Sequence, residues 1–392
     1  MDERARTNCP ANARALAPTI AAAAARIEAE RGLPAELVDA LHEARLYRML
    51  VPRSLGGEEA PLPEYVEAIE EIAKADASTA WCIGQTSVCS TIAKAMRLEV
   101  AEEIFKNNPR GVLAWGPSGN GKAIVDQGGF RVSGVWPFAS GSRQATWLAA
   151  HCIIYEPGGE PRRSADGKPV QRTLVLPREC AAIDDVWHVI GLKGTGSDTY
   201  TFTEVFVPQE RAVAYHALDP AERRERGPLY AFTIYQLFGA SFAAVALGIA
   251  RATLDAFCAL AQNKTPTGQT AVLRDNPVIQ SQVGLAQSLL AAARAFFFAA
   301  VGEIWQAAQA GTITLEQRVR LRMACINLSQ QSRQIVETAY LAAGATAIFE
   351  SNPFERRLRD IHAVSQQAQS QFSIYEAIGR HFMGLPVNSR LI

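Results

Sequence analysis

No excess charge of either sign marks this 392-residue sequence. Its 39 Lys and Arg offset 39 Asp and Glu, which removes the electrostatic case for nucleic acid or an anionic membrane surface as partner. Cysteine is sparse. The seven are scattered, odd in number and never spaced Cys-x-x-Cys, which argues against a disulfide framework or a metal site and for reduced thiols. No Gly-x-Gly-x-x-Gly fingerprint occurs, so no nicotinamide-binding unit is expected. The first 31 residues are Ala-rich but broken by Arg4, Arg6, Arg14, Arg26 and Glu28, which is unlike a signal peptide or membrane span. A soluble, cytoplasmic protein with a small, neutral or apolar substrate is expected.

The apolar pattern is helical over roughly residues 11–107. Pro34 opens one helix with Leu37, Leu41 and Leu46 on its apolar stripe, and residues 62–75 form another with Glu64, Glu67, Glu70 and Glu71 outward. After Asp76, a capping residue, the stretch 80–88 carries no charge, and a helix without charge is buried in something. Near Gly111 the pattern changes to short β-type runs at 130–136, 146–155, 172–176, 186–190 and 199–207, with an exposed hairpin tip at 158–168. Helices resume after Gly227. This predicts three parts, residues 1–110, 111–226 and 227–392: mainly α, with a β domain inserted between helical regions.

One stretch concentrates candidate chemistry. A helix running from Pro353 to about Met383, capped by Ser351 or Asn352, would set Arg359, His362, Gln366 and Gln369 on one side and Ile361, Val364, Ala368, Phe372 and Tyr375 on the packed side. A polar row with a histidine beside an apolar stripe is either a solvated face or the wall of a wet cavity.

This order of parts, with three motifs, resembles the acyl-CoA dehydrogenase superfamily over essentially the whole chain. The motifs are Ser133-Gly-Val-Trp-Pro-Phe-Ala-Ser-Gly141, Gly191-Leu-Lys-Gly-Thr-Gly-Ser197 followed by Val205-Phe-Val-Pro208, and Arg357-Leu-Arg-Asp-Ile-His362. They look like the group D flavin-dependent monooxygenase branch. The resemblance implies an N-terminal helical domain, a central β-barrel or sandwich, a C-terminal four-helix bundle and a homotetramer. It also implies reduced FMN or FAD as cofactor, FMN being favoured, with Trp136, Phe138, Ala139, Ser140, Trp187, Thr195, Gly196, Ser197, Arg359 and Asp360 around it. A rigid turn of aromatics, Pro and small residues suits a flat ring whose polar edge needs close backbone approach. The loop 263–277, with Lys264 and Arg274, matches a family position that reaches a neighbouring subunit's cofactor; it is otherwise a polar connection.

The superfamily's dehydrogenases need a carboxylate beside the carbon that loses its proton. The position where the family usually carries it falls on Gln367-Ala-Gln-Ser370, and residues 228–254 contain no Asp or Glu. Acyl-CoA oxidation, the alternative activity, is therefore disfavoured on chemical grounds. His362 instead matches a histidine of the monooxygenase branch, where a C4a-hydroperoxide on the flavin requires a hydrogen-bond donor; Ser140 is the second candidate catalytic group. Where many relatives have further histidines, this chain has Gln367 and Gln85. Oxygenation at carbon, nitrogen or sulfur thus stays open, including N-oxygenation on the same fold. Gln85, Tyr235 and Phe238 are the candidate contacts to a small aromatic or heterocyclic substrate, the aromatic run 229–238 being either cavity lining or core. Dioxygen and a separate NAD(P)H:flavin reductase complete the expected partners.

Overall fold

The computed structural model describes residues 7–117, 120–214, 223–387 and 392. Its N-terminal part is helical: α1 (Cys9–Glu30), α2 (Ala35–Glu43), α3 (Leu62–Ala75), α4 (Ala77–Ser90) and α5 (Leu98–Ala101). In α3 the apolar residues Val66, Ile69 and Ile72 are fully buried while Glu64 and Glu67 keep solvent contact. All of α4 is buried, as its lack of charge requires, and Asp76 caps it by accepting the Thr79 N–H at 2.7 Å. Burying Ile83 and Val88 contributes roughly 1.5–3 kcal/mol each, which holds the helix at the centre of the molecule.

The middle of the chain makes one eight-stranded sheet: β1 (Leu113–Ala114), β2 (Lys122–Asp126), β3 (Gly129–Trp136), β4 (Trp147–Tyr155), β5 (Gln171–Pro177), β6 (Ala182–Asp184), β7 (Thr199–Pro208) and β8 (Ala212–Val213). Strand order is β6-β7-β3-β2-β4-β5-β8, with β1 parallel to β4. Along β4, Cys152 and Ile154 are buried, whereas His151, Ile153 and Tyr155 alternate onto the half-buried face. Two expectations are corrected. Residues 186–190 form no strand but an irregular segment with Val186 and Ile190 exposed, and β2, which carries charge at both ends and only three apolar residues, was not anticipated.

Helices α6 (Ile234–Ala261), α7 (Pro277–Gln309), α8 (Leu315–Ala343), α9 (Phe354–Ser365) and α10 (Ile374–Phe382) complete the fold. A Thr233/Gln236 capping box starts α6, which packs on α3, α4 and α8. Both α6 and α7 are long and apolar enough to cross a membrane; α6 is instead the buried centre of the bundle, while much of α7 is uncovered, with Val278 and Leu285 exposed.

The single helix expected from 353 to 383 is in fact two, parted over Gln366–Ser373. The run Gln366–Gln371 offers only Ala368 as an apolar residue, so no stripe ties it to the core. The Gln367 side chain also accepts the Gln369 N–H at 2.7 Å, a local bond that competes with the helix. Phe372, expected on the packed side, is exposed, and neither Ser351 nor Asn352 caps α9, whose N-cap position is Pro353.

Candidate active site

Four parts of the chain meet around a cavity of about 840 Å3. From α4 come Trp81 and Gln85, from the turn after β3 Phe138 and Ser140, from the segment between β6 and β7 Trp187, Thr195 and Ser197, and from α9 and its exit His362, Gln366, Gln367 and Ala368. Phe138 adopts a left-handed backbone at φ 56°, an uncommon conformation for a bulky residue that turns its ring out, 62% exposed, edge-on to Trp187 at 6.0 Å. A slot of this size between aromatic and aliphatic walls accepts a flat tricyclic ring system.

On one wall the hydroxyls form a chain whose direction can be derived. Thr195 Oγ1 donates to the Leu192 carbonyl at 2.8 Å, which uses its only proton. The 2.7 Å contact between Thr195 and Ser197 must then be donated by Ser197, and the 2.6 Å contact between Ser197 and Ser140 by Ser140. Trp81 Nε1–H completes the chain by donating to Ser140 at 3.0 Å. Every hydroxyl proton is committed inside the protein. What these three groups offer a ligand is acceptor lone pairs, suited to an N–H edge.

The segment carrying Thr195 and Ser197 is pinned to α9. The Leu192 N–H donates to Asp360 Oδ1 at 2.7 Å, and Arg359 Nη1 donates to the Ile190 carbonyl at 2.6 Å while pairing with Glu28 and Glu355. Burial, reinforced by Asp76 and Glu28, pushes the Asp360 carboxyl up to about 7; the Leu192 N–H pulls against it. Gly191 permits this approach, because a Cβ there would lie 2.1 Å from the Arg359 carbonyl oxygen. Farther along α9, His362 lines the cavity with Nε2 3.3 Å from Glu337 Oε1 on α8, and Glu337 also accepts from Arg333 at 3.0 Å.

A second chamber of about 770 Å3 adjoins the first and shares Gln85, Pro117, Phe242, Gln367 and Ala368 with it. Tyr235, Phe238 and Trp115 line it, and Gln85 donates to the Trp115 carbonyl at 3.0 Å. Among the described residues, no Asp or Glu lines either chamber.

The structure thus brings Phe138, Ser140, Trp187, Thr195, Ser197, Gln85 and His362 to the first cavity, and Gln85, Tyr235 and Phe238 to the second. It does not bring Trp136 there. That ring is fully buried inside the sheet, stacked on Tyr200 at 5.5 Å, with its Nε1 unpartnered. Ala139 is fully buried beneath the turn, Gly196 supports the hydroxyl chain through its backbone turn, and Arg359 and Asp360 act as the anchor between loop and helix. Lys264 is occupied internally, donating to the Ala343 carbonyl and to Thr346 Oγ1. Sequence reasoning missed Trp81 and Phe242, stacked at 3.8 Å between the chambers; the signal was a Trp in a charge-free helix.

Residues 10–106 match the N-terminal domain of acyl-CoA dehydrogenases and residues 240–372 their C-terminal domain. The chain belongs to the acyl-CoA dehydrogenase family. Within that family it is 28% identical over 356 residues to indole-3-acetate monooxygenase of Pseudomonas putida, covering 91% of this chain and 88% of that one. It is also 28% identical over 390 residues to the flavin-dependent monooxygenase, oxygenase subunit HsaA, of Rhodococcus jostii, covering 96% and 99%. The crystal structure of the HsaA monooxygenase from M. tuberculosis superposes with a TM-score of 0.88 at 26% identity, covering 98% of this chain and 99% of that one. The acyl-CoA dehydrogenase fold expected from the motifs is therefore present, and the curated relatives are monooxygenases.

Proposed function

We propose that this chain is the oxygenase component of a two-component flavin-dependent monooxygenase that takes reduced FMN or FAD from a separate reductase and inserts one oxygen atom of O2 into a small aromatic or heteroaromatic substrate. The observation that carries this reading is the acid-free pair of chambers: the dehydrogenases of this family need a carboxylate to remove a proton from carbon, and none lines either space among the described residues. The relatives of known activity point the same way.

The first cavity fits a reduced flavin. Its hydroxyl chain presents acceptors, matching the N–H groups that the reduced ring carries, and Phe138 and Trp187 supply apolar flanks. When bound, reduced flavin supplies the electrons that activate dioxygen. The chain's own residues orient the ring through Ser140, Thr195 and Ser197 and screen it from water with Trp81 and Phe242. His362 lines the cavity as the candidate proton donor, with Glu337 Oε1 3.3 Å from its Nε2. The substrate ring rests in the second chamber against Trp115, Tyr235 and Phe238. The apolar faces left open on α7 support a homotetramer, and cysteines that form no disulfide among the described residues support a cytoplasmic setting.

Mixing the protein with photoreduced FMN or FAD and then with O2 tests the reading. A transient flavin absorbance that belongs to neither the reduced nor the oxidised free cofactor, with delayed release of hydrogen peroxide, is expected. Anaerobic reduction of protein-bound flavin by an acyl-CoA would overturn it.

A further inference from the structure

We propose that Gln85 decides which edge of a ligand ring faces the cofactor: its side-chain carbonyl oxygen, held where the two chambers meet, accepts one hydrogen bond from an O–H or N–H on the ring and leaves that proton with the ligand. The proposal rests on the oxygenase reading and assigns the specificity-determining residue of that site.

Trp81, Gln85 and Cys89 follow one another turn by turn along α4, so they share one face of it. Trp81 donates to the hydroxyl chain of the first cavity, Cys89 is fully buried, and Gln85 between them lines both chambers. Gln85 is only 8% exposed, and a buried amide has two protons and one acceptor oxygen to place. Both protons are placed. Nε2 donates to the Trp115 carbonyl at 3.0 Å and to Cys89 Sγ at 3.6 Å. That fixes the amide, because turning it over would set Oε1 against the Trp115 carbonyl oxygen, two acceptors face to face. Oε1 itself accepts no hydrogen bond among the described residues. The other amide shared by the two chambers, Gln367, is closed: it donates to Gln369 Oε1 and accepts from the Gln369 N–H.

The walls around Gln85 are apolar. Phe238 and Phe242 stack at 5.5 Å, and the Trp115 indole stands edge-on to Phe238 at 6.4 Å, so a flat ligand in the second chamber lies among ring faces that hold it without choosing its rotation. Direction comes from Oε1. A ring that brings a donor to it satisfies a desolvated acceptor, whereas an analogue without the donor leaves that acceptor unpaired. Since Gln85 borders the first cavity as well, the donor-bearing edge is the one turned toward the cofactor. An amide accepts a hydrogen bond but takes no proton near neutral pH, so the bound ligand stays protonated.

Two probes, 4-nitrophenol and its methyl ether 4-nitroanisole, differ by the donor alone apart from one methyl group. Quenching of intrinsic tryptophan fluorescence, to which Trp81 and Trp115 beside Gln85 contribute, reads the binding of both without flavin or oxygen. At a pH that keeps the phenol neutral, the protein should bind it at least tenfold more tightly than the ether. At a pH where phenol and phenolate coexist, the phenolate absorbance should fall as protein is added, because Oε1 accepts from O–H and repels a phenolate oxygen. In Gln85→Leu the preference for the phenol should vanish; a preference owed to the bulk of the methyl group would persist there instead. Thermal melting of the variant separates lost binding from lost folding, and the wild-type results decide the matter even if the variant does not fold. Equal wild-type affinity for the two probes, absence of saturable 4-nitrophenol binding, a phenolate absorbance that rises on binding, or a preference that survives Gln85→Leu would overturn the proposal. Such failure leaves the oxygenase reading intact, because that reading is tested by flavin and oxygen alone.

Discussion

Replacing His362 with Ala tests whether this imidazole serves the cofactor or only faces solvent. In the structure its side chain is 38% exposed and its partner Glu337 33%, so their contact at 3.3 Å contributes no more than about 1 kcal/mol to folding. His362→Ala should therefore leave the melting temperature and flavin affinity almost unchanged. What it removes is a proton donor held at the cavity wall, and removing such a group usually costs roughly a hundredfold to ten-thousandfold in the step it serves. The assay is release of hydrogen peroxide after reduced flavin bound to the protein meets O2. Wild type should release it slowly, and His362→Ala faster by about two orders of magnitude or more. Glu337→Gln keeps His362 but deletes the charge that orients it; an interaction of at most about 1 kcal/mol limits its effect to roughly fivefold. A His362→Ala protein that releases peroxide at the wild-type rate would refute the assignment, and His362 would be a solvated surface residue.

Three further outcomes follow from the geometry. Gly191→Ala drives a Cβ to within 2.1 Å of the Arg359 carbonyl oxygen, so the loop must leave α9; a loss of about 1–3 kcal/mol in stability and at least tenfold weaker flavin binding are expected by denaturant titration and fluorescence, and unchanged binding would contradict the anchor. Asp360, pushed up to about 7, keeps a proton in the folded protein that the unfolded chain, titrating near 4, has already lost; stability present at low pH should thus decline as pH rises from about 4 to 7, and Asp360→Asn should flatten that decline. Equal pH slopes of melting temperature for the two proteins would refute this. Light scattering at micromolar concentration should give four times the 42.4 kDa chain mass, since α7 leaves Val278 and Leu285 uncovered.

The helical parts were legible because their signals are local. A charge-free α4, a proline before α2 and Glu64 and Glu67 on α3 each announce burial or exposure within one element, whereas Glu70, expected outward, is buried against Arg294 at 3.0 Å. The site was legible only in part. Ser140, Thr195 and Ser197 stand in two recognisable motifs, but their joining into one directed chain depends on how two loops meet in space. Trp136 shows the opposite case: it sits in the same motif as Ser140, yet strand alternation turns its ring into the sheet while the turn after it opens to the cavity. The break after α9 has no Pro or Gly to mark it. It arises from the want of an apolar stripe in Gln366–Gln371, a weak signal that a helical reading of the flanking residues overrode.

The break and the acid-free chambers are connected. Gln367 and Ala368, at the point where α9 stops, belong to the walls of both chambers, and this is the place where the family's dehydrogenases usually carry their base. A glutamate at Gln367 would put a carboxylate in a largely apolar space, where desolvation raises its proton affinity and so strengthens it as a base. Gln367 instead bonds to its own neighbour, donating to Gln369 Oε1 and accepting from the Gln369 N–H, and so closes the wall without charge. Replacing the acid with an amide thus removes the base that dehydrogenase chemistry needs and leaves this wall uncharged. On this argument Gln367→Glu should let an acyl-CoA reduce protein-bound flavin without oxygen, which the wild-type chain should not allow; absence of that reduction in the variant would show that residue 367 alone does not withhold the dehydrogenase reaction.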